Sequence, residues 1–246
     1  MKLHSEKIKS LLEFDAEVMT FETIDSTNIL AEKLAEKSAK PLLIISESQT
    51  DGRGRNGKSF YSPPTGLYMS LLTHSDSDFY SFATATCKAA VAVTRAIEKL
   101  TGLKPEIKWV NDIYIDGKKV CGILCRALGG NGKINHLITG IGINLFTEVF
   151  PDEIKDSAGS INTAVDINIL SAEIANNLFS LSDYMDEYRD RSCVIGKVIT
   201  YWKNGIEYKA QAVGIDENGG LIVDNGKEKT TLTSGEITLR VKKQEL

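Results

Sequence analysis

The sequence predicts an α+β fold: a mixed β-sheet packed with helices over residues 1–190, then a small closed β-barrel over residues 191–246. Three observations carry this expectation. Helical periodicity near 3.6 runs through two long stretches, Phe79 to Leu100 and Asp166 to Arg189. Short apolar or alternating runs, separated by Gly, Pro, Asn and Asp turn signals, fill much of the remainder. From Cys193 onward the character changes to short alternating strands with turns at Asn204-Gly205, Asn218-Gly219-Gly220 and Asn225-Gly226. That spacing suits a barrel of roughly 50 residues and sets the boundary near residues 188–194.

Each element follows from its local chemistry. Ser5 to Glu13 reads as a short amphipathic helix with Ile8, Leu11 and Leu12 on one side. Phe21 to Ile24 alternates as a strand. Asp25-Ser26-Thr27-Asn28 offers capping side chains, so a helix starts there and runs through Ala35. Pro41 ends that unit, Leu42 to Ser46 is a short apolar strand, and a polar, glycine-studded stretch follows from Glu47 to Pro64. Leu67 to Thr73 is another strand. The Ala-, Val- and Ile-rich face of Phe79 to Leu100 suits a helix lying on a sheet. Glu106 to Val110 reads as a strand that Ile113-Tyr114-Ile115 continues, and Asp116-Gly117 is a two-residue hairpin signal. Val120 to Leu128 returns, Gly129-Gly130-Asn131-Gly132 reverses the chain again, and Ile134 to Leu145 follows.

Composition excludes several classes. With 246 residues, 42% hydrophobic and 25% charged, the chain is neither disordered nor fibrous. Its net charge of −4 argues against a protein whose main task is coating nucleic acid. No apolar run approaches a membrane span, and Met1 to Lys7 has no secretory core. Cys87, Cys121, Cys125 and Cys193 are too scattered for a disulfide scaffold, so a reducing cytoplasm is the expected compartment. His4, His74 and His136 are not clustered with cysteines, so no metal site is expected, and Cys121 and Cys125 read as core. No G-x-S-x-G turn is present, which leaves chemistry to Lys, Arg, backbone amides or a loosely held metal ion.

The string Gly52-Arg53-Gly54-Arg55-Asn56-Gly57-Lys58-Ser59 satisfies the P-loop pattern letter for letter. A P-loop needs a buried strand before it and a helix N-terminus after it. Here polar residues Glu47 to Asp51 precede it, and Pro63-Pro64 follows too soon for a helix. The string works instead as an anion-binding loop. Three glycines let the backbone approach a ligand, while Arg53, Arg55 and Lys58 contact phosphate or carboxylate. Mutual repulsion predicts a loop that stays disordered until an anion arrives. The alternative is a solvated basic turn. Lys108-Trp109-Val110-Asn111-Asp112 places a lysine at a strand end, and Gly140-Ile141-Gly142-Ile143-Asn144 alternates glycine with apolar residues, as where a ligand comes close.

Five strings stand in the order and approximate spacing of biotin–protein ligases, and the sequence resembles that family from about residue 20 onward. They are Ser26-Thr27-Asn28, the Gly52–Gly57 loop, the Lys108–Asp112 run, Lys118-Lys119-Val120-Cys121-Gly122-Ile123-Leu124, and Gly140–Asn144. The closing Ser234-Gly235-Glu236-Ile237-Thr238-Leu239-Arg240 also looks like the end of that family's small barrel. The resemblance implies a class II synthetase-like catalytic domain with an SH3-like C-terminal barrel. It implies activation of biotin with ATP, helped by Mg²⁺, and transfer to a lysine of a biotin carboxyl carrier protein domain.

By the same resemblance, Ser26, Thr27, Asn28, Gln49, Gly52, Arg53, Gly54, Arg55, Lys108 and Gly122 contact biotin. Arg55, Lys58, Phe60, Asn111 and Asn144 contact the adenylate, and Lys108 with Arg55 carries the chemistry. Asn56, Phe60, Val110, Cys121 and Arg126 depart from the family's usual residues, which bears on affinity. Twenty residues precede Phe21, too few for the DNA-binding domain that some members carry, so the monofunctional form is expected. Other readings are a lipoate or octanoate ligase or transferase of the same architecture, and a biotin-sensing regulator that transfers nothing. The barrel reads equally as an inert cap or as a carrier-docking surface, and the protein as monomer or homodimer.

Overall fold

The computed structural model describes residues 2–75, 84–130, 133–203, 205–233 and 237–239. Seven strands form the first sheet: β1 (Glu17–Ile24), β2 (Leu42–Gln49), β3 (Gly66–His74), β4 (Glu106–Lys108), β5 (Asp112–Ile115), β6 (Lys118–Gly130) and β7 (Lys133–Asn144). Their order is β1-β2-β3-β7-β6-β5-β4. Helix α1 (Ser5–Leu11) precedes β1. The β1–β2 pair is parallel, and its crossover contains helix α2 (Thr27–Leu34), as parallel neighbours require. The other pairs are antiparallel, which makes the sheet mixed.

Strand alternation divides the apolar residues between two faces. Along β2, Leu43 and Ile45 enter one buried cluster, whereas Leu42 and Ile44 enter another. The first face is covered by α3 (Ala85–Thr101) and α4 (Ile167–Ser180). Ala89, Val93, Ala96 and Ile97 of α3 and Ile174 and Ala175 of α4 are fully buried there. The many alanines let these helices approach closely, and Gly102 at φ 72° closes α3 in the left-handed conformation. The second face is covered by α2, whose Ala31 packs with Leu42, Ile44, Leu72 and Ile138. This helix of 8 residues lies against β2, β3 and β7 and leaves the β5–β6 end of that face open.

A second sheet contains β8 (Val198–Lys203), β9 (Ile206–Ile215), β10 (Leu221–Asp224), β11 (Lys229–Leu232) and β12 (Ile237–Leu239). It is antiparallel in the order β11-β10-β9-β8-β12, a small β-unit of the SH3-like kind. Ile199, Tyr201, Ala210, Ala212, Leu221 and Val223 from it join the same buried cluster as Ile107, Trp109 and Tyr188. Ser192 also forms a parallel bridge with Ile107, so the chain leaving α5 (Met185–Asp190) runs along edge strand β4.

Several elements differ from the sequence expectation. The strand from Leu42 extends to Gln49, because Ser46 and Ser48 donate their hydroxyls to the carbonyls of Ser48 and Glu22 and so satisfy buried polar groups. A strand therefore does precede the Gly52 loop, contrary to one premise used against a P-loop. The helix such a motif needs is still lacking, since a 3-10 turn at Arg55–Gly57 gives way to extended backbone. Val110 is not in a strand. Strand β5 reverses on β4, with Lys108 opposite Asp112, and residues 109–111 form the turn. The single helix expected over 166–189 is two, broken after Ser180 where Ser182 turns its hydroxyl to Asp183 rather than continuing the helix. Residues 79–83 of the expected long helix, together with Asn131, Gly132, Asn204, Ser234 to Glu236 and Arg240, lie outside the described residues.

Candidate active site

The open end of the second face holds a cavity of about 530 Å³. Its floor is a strip of β6 and β7 in which Gly122 pairs with Gly142 and Leu124 with Gly140. Glycine is required here by what lies on top. A Cβ on Gly140 would overlap the Asn28 amide, and one on Gly122 or Gly142 would overlap the Phe60 ring. The alternation of glycine with isoleucine in β7 thus gives one face to the core (Ile141, Ile143) and leaves the other bare for side chains arriving from α2 and the Gly52 loop.

One end of the cavity is neutral and hydrogen-bonded. Asn28, 5% exposed, rests on Gly140 and accepts from the Ser70 hydroxyl at 2.6 Å. Ser70 also lies 2.7 Å from the Thr27 hydroxyl. The Thr27 N–H donates to Gln49 Oε1 at 2.9 Å, and Gln49 Nε2 donates to the Ser62 hydroxyl at 3.1 Å. Ser62 in turn donates to the Phe60 carbonyl at 2.8 Å. Buried polar groups are costly unless paired, so this chain of partners fixes each rotamer. Ser26 stands at the N-cap of α2 without a side-chain capping bond, and it lines the cavity instead.

The basic loop is an ordered hairpin. Arg53 bridges Ser59, the Gly54 N–H donates to the Lys58 carbonyl at 2.7 Å, and the Phe60 N–H donates to Gly52 at 2.8 Å. Asn56 (φ 54°) and Gly57 (φ 74°) make the reversal, which glycine and asparagine tolerate best. The Arg53 guanidinium pairs with Asp51 at 2.6 Å and that of Arg55 donates to Asn111 Oδ1 at 2.9 Å, so the two charges diverge and each has an acceptor. Asn111 Nδ2 donates to the Ile123 carbonyl at 3.0 Å, which ties the hairpin to β6.

The other end of the cavity is cationic. Arg53, Arg55, Lys58, Lys108 and Lys119 line it, against the Asp112 carboxylate. Five cations thus share the cavity lining with one carboxylate, and Arg53 is paired with Asp51 and Lys119 with Asp112, which offsets part of that charge. Lys108 Nζ lies 3.3 Å from the Tyr114 hydroxyl and 5.3 Å from the ring centroid. Burial, then the Asp112 charge, pushes the Tyr114 hydroxyl up to about 12, so it stays protonated beside the lysine. Lys119 pairs with Asp112 at 2.7 Å and stands 6.0 Å from the Phe60 centroid.

Lys119, Asp112 and Tyr114, which line the cavity, and Ser70, which holds Asn28, were not among the site residues expected from the sequence, although Asp112 closes the Lys108–Asp112 run that pointed to it. Lys119 had the signal of a second lysine one residue from a strand start. Ser70 had the signal of a hydroxyl inside an otherwise apolar strand.

Most residues proposed from sequence converge on this cavity: Ser26, Thr27, Asn28, Gln49, Arg53, Gly54, Arg55, Lys58, Phe60, Lys108, Asn111 and Gly122. Two do not line it. Gly52 supports the hairpin from behind, where a Cβ would overlap the Phe60 carbonyl and the Ser62 hydroxyl. Asn144 is buried and donates through Nδ2 to the Gly159 carbonyl at 3.0 Å. It acts on the segment that runs beside Lys119, whose N–H donates to the Ser157 carbonyl at 2.8 Å. Among the departures, Arg126 pairs with Glu32 at 3.1 Å, outside the cavity lining. Burial pushes the Cys121 thiol up and that of Cys125 to about 11, as for inert core cysteines. No group of three His, Cys, Asp or Glu residues suited to a metal occurs among the described residues.

Comparison with known proteins agrees with this arrangement. Residues 20–144 match the Biotin/lipoate A/B protein ligase family, and residues 195–240 match the Biotin protein ligase C terminal domain. The chain is similar to the Bifunctional ligase/repressor BirA of Bacillus subtilis (strain 168), with 32% identity over 238 residues, 89% of this chain and 72% of that protein. It is 26% identical over 231 residues to a Biotin--[acetyl-CoA-carboxylase] ligase of Paracoccus denitrificans, covering 87% of this chain and 96% of that one. The solved Biotin protein ligase from Aquifex aeolicus in complex with biotin and ATP superposes with a TM-score of 0.74 at 26% identity, over 91% of this chain and 98% of that chain. With both family segments matched in order and the five sequence strings gathered around one sheet face, the chain belongs to the biotin/lipoate A/B protein ligase family, on its biotin protein ligase branch.

Proposed function

We propose that this chain joins biotin to ATP, forming biotinyl-5′-AMP and pyrophosphate, and then passes the biotinyl group to one lysine of a biotin carboxyl carrier protein domain. The observation that carries this reading is the union, in one cavity, of a neutral hydrogen-bonded end with a wall of five cations. Biotin has the matching polarity: a ureido head that donates and accepts, an apolar body, and a carboxylate at the far end. The head belongs among Ser26, Thr27, Asn28 and Gln49, with Leu124 and Trp109 along the body and Gly54 and Gly122 allowing close approach. The relative solved with biotin and ATP supports the same pair of substrates.

In the first step a carboxylate oxygen attacks the α-phosphorus of ATP. The new P–O bond forms as the bond to the bridging oxygen breaks, and pyrophosphate leaves with that electron pair. Two anions must approach, and fixed ammonium and guanidinium groups offset their repulsion most as charge builds in the transition state. Lys108, Lys119 and Arg55 are the groups placed to do so, with Lys58, Phe60 and Asn111 on the nucleotide side. Asn144 supports Lys119 through Gly159. Mg²⁺ fits a site with a single carboxylate if triphosphate oxygens and waters supply most of its ligands, and it then neutralises phosphate charge. In the second step the neutral carrier amine attacks the acyl carbon, the bond from that carbon to the phosphate oxygen breaks, and AMP leaves with the electron pair while the nitrogen gives up a proton to water and the amide forms. The hairpin over residues 52–60 shields the mixed anhydride from water until then. Residues 1–190 carry this chemistry, and residues 191–246 form the C-terminal unit.

A lipoyl chain, which the family's description also admits, has no ureido group to meet the polar side chains of Ser26, Thr27, Asn28 and Gln49 that line the neutral end. The test is incubation with ATP, Mg²⁺, a purified carrier domain and either biotin or lipoate. A covalent mass gain on one carrier lysine with biotin, and none with lipoate, is expected. Gain with lipoate alone, or with neither, overturns the reading.

A further inference from the structure

The C-terminal sheet touches the cavity wall at a buried point. Trp109 lines the cavity, is 4% exposed, and donates its indole N–H to the Gly219 carbonyl at 2.8 Å, across 110 residues of sequence. From the other side, the Tyr188 hydroxyl donates to the Val110 carbonyl at 2.9 Å. These bonds hold a link outside the β-ladder, since β4 ends at Lys108 and β5 begins at Asp112. Lys108 and Asn111, at the two ends of that link, both line the cavity.

The acceptor is itself fixed. Asp216 Oδ1 accepts from the Asn218 and Gly220 N–H groups at 2.9 and 2.8 Å, and the Gly219 N–H donates to the Asp216 carbonyl at 3.1 Å. Arg189 clamps the flanks of the same turn, donating to the Ile215 carbonyl at 2.9 Å and pairing with Glu217 at 2.7 Å. An apolar wall alone would be served by phenylalanine. An indole adds an N–H that must find a partner when buried, and here the partner belongs to another sheet.

We infer that Trp109 is a positioning residue through which the 216–220 turn sets the Lys108–Asn111 link, so that biotin activation depends on the C-terminal unit before any carrier arrives. This deepens the proposed function and rests on the cavity being the activating site. The C-terminal unit is then neither an inert cap nor merely a docking surface.

The test is carrier-free, biotin-dependent exchange of labelled pyrophosphate into ATP by the full chain. Trp109→Phe keeps an aromatic ring in the wall and removes the N–H together with part of the indole's packing. Asp216→Ala loosens the turn from outside the cavity. Each is expected to raise the KM for biotin or ATP about fivefold, the scale of one net hydrogen bond. The double variant should be no worse than the weaker single one, because both break one path. A merely structural effect would lower kcat with the active fraction and leave KM at the parent value, which overturns the inference, as do parent-like kinetics in both variants. Absence of exchange in the unmodified chain overturns the activating-site reading and this inference with it.

Discussion

Ser70 shows how a residue outside the cavity lining can govern it. Its hydroxyl is fully buried in β3 and serves both Asn28 and Thr27. Ser70→Ala leaves those two side chains without that partner, at a cost of about 1–3 kcal/mol. Chemical denaturation should show that loss together with a higher KM for biotin, and a normal KM would separate the neutral end from biotin binding. The lysines make a second case. Lys119 stands between Asp112 and Phe60 and Lys108 beside Tyr114, and both belong to the cationic wall of the cavity. Lys119→Ala and Lys108→Ala should each slow pyrophosphate exchange, the more central by about 10²–10³-fold. Unchanged exchange in both would remove electrostatic activation from the account. Sequence reasoning reached Lys108 because a strand-end lysine next to tryptophan is conspicuous. It passed over Lys119 because a lysine beside another lysine in a hairpin resembles a solvated pair until the 157–159 segment is seen to lie along it.

Elements were legible where one rule dominates. The Asp116-Gly117 hairpin has both residues at positive φ, 50° and 72°, as the dipeptide predicts. Helix α3 follows its alanine stripe. The errors fall where tertiary pairing overrides local pattern: β2 continues through serines because their hydroxyls find carbonyls, and Val110 turns because β5 must return beside β4. The start of α4 carries its own prediction. Asp166 caps the helix by accepting from the Asn168 N–H and also pairs with Lys7 at 2.6 Å. The hydrogen bond from Lys7 outweighs burial and holds its carboxyl down near about 2, from an ordinary 3.8. Because the folded value is the lower one, this contribution is present above the unfolded value and fades as pH falls from about 3.8 towards 2. Asp166→Asn keeps the cap acceptor and loses the charge, so its stability should fall less steeply over that interval in urea melts at stepped pH. Parallel slopes would assign the acid sensitivity elsewhere.

At the scale of the molecule, the α+β class and the C-terminal β-unit were readable from periodicity and turn spacing. The way they share a core was not. Tyr188, Val194 and Ile199 are buried in one cluster with Ile107 and Trp109, and no local pattern states which distant residues meet. The site was legible as a set of strings, but its shape depends on register. Gly122 faces Gly142, so the bare strip exists only because two strands pair in that alignment. A one-residue slip would turn isoleucines into the cavity and glycines into the core.

The β3–β7 ladder, nine pairs from Gly66–Asn144 to His74–His136, stands at the centre of the seven-stranded sheet. Its central amides are hydrogen-bonded under helices and can meet solvent only when the whole domain opens. In deuterated buffer the protons of Met69, Leu71 and Ile141 should therefore be the last to exchange, at the rate set by global unfolding. Those of the 52–60 hairpin should be gone far sooner.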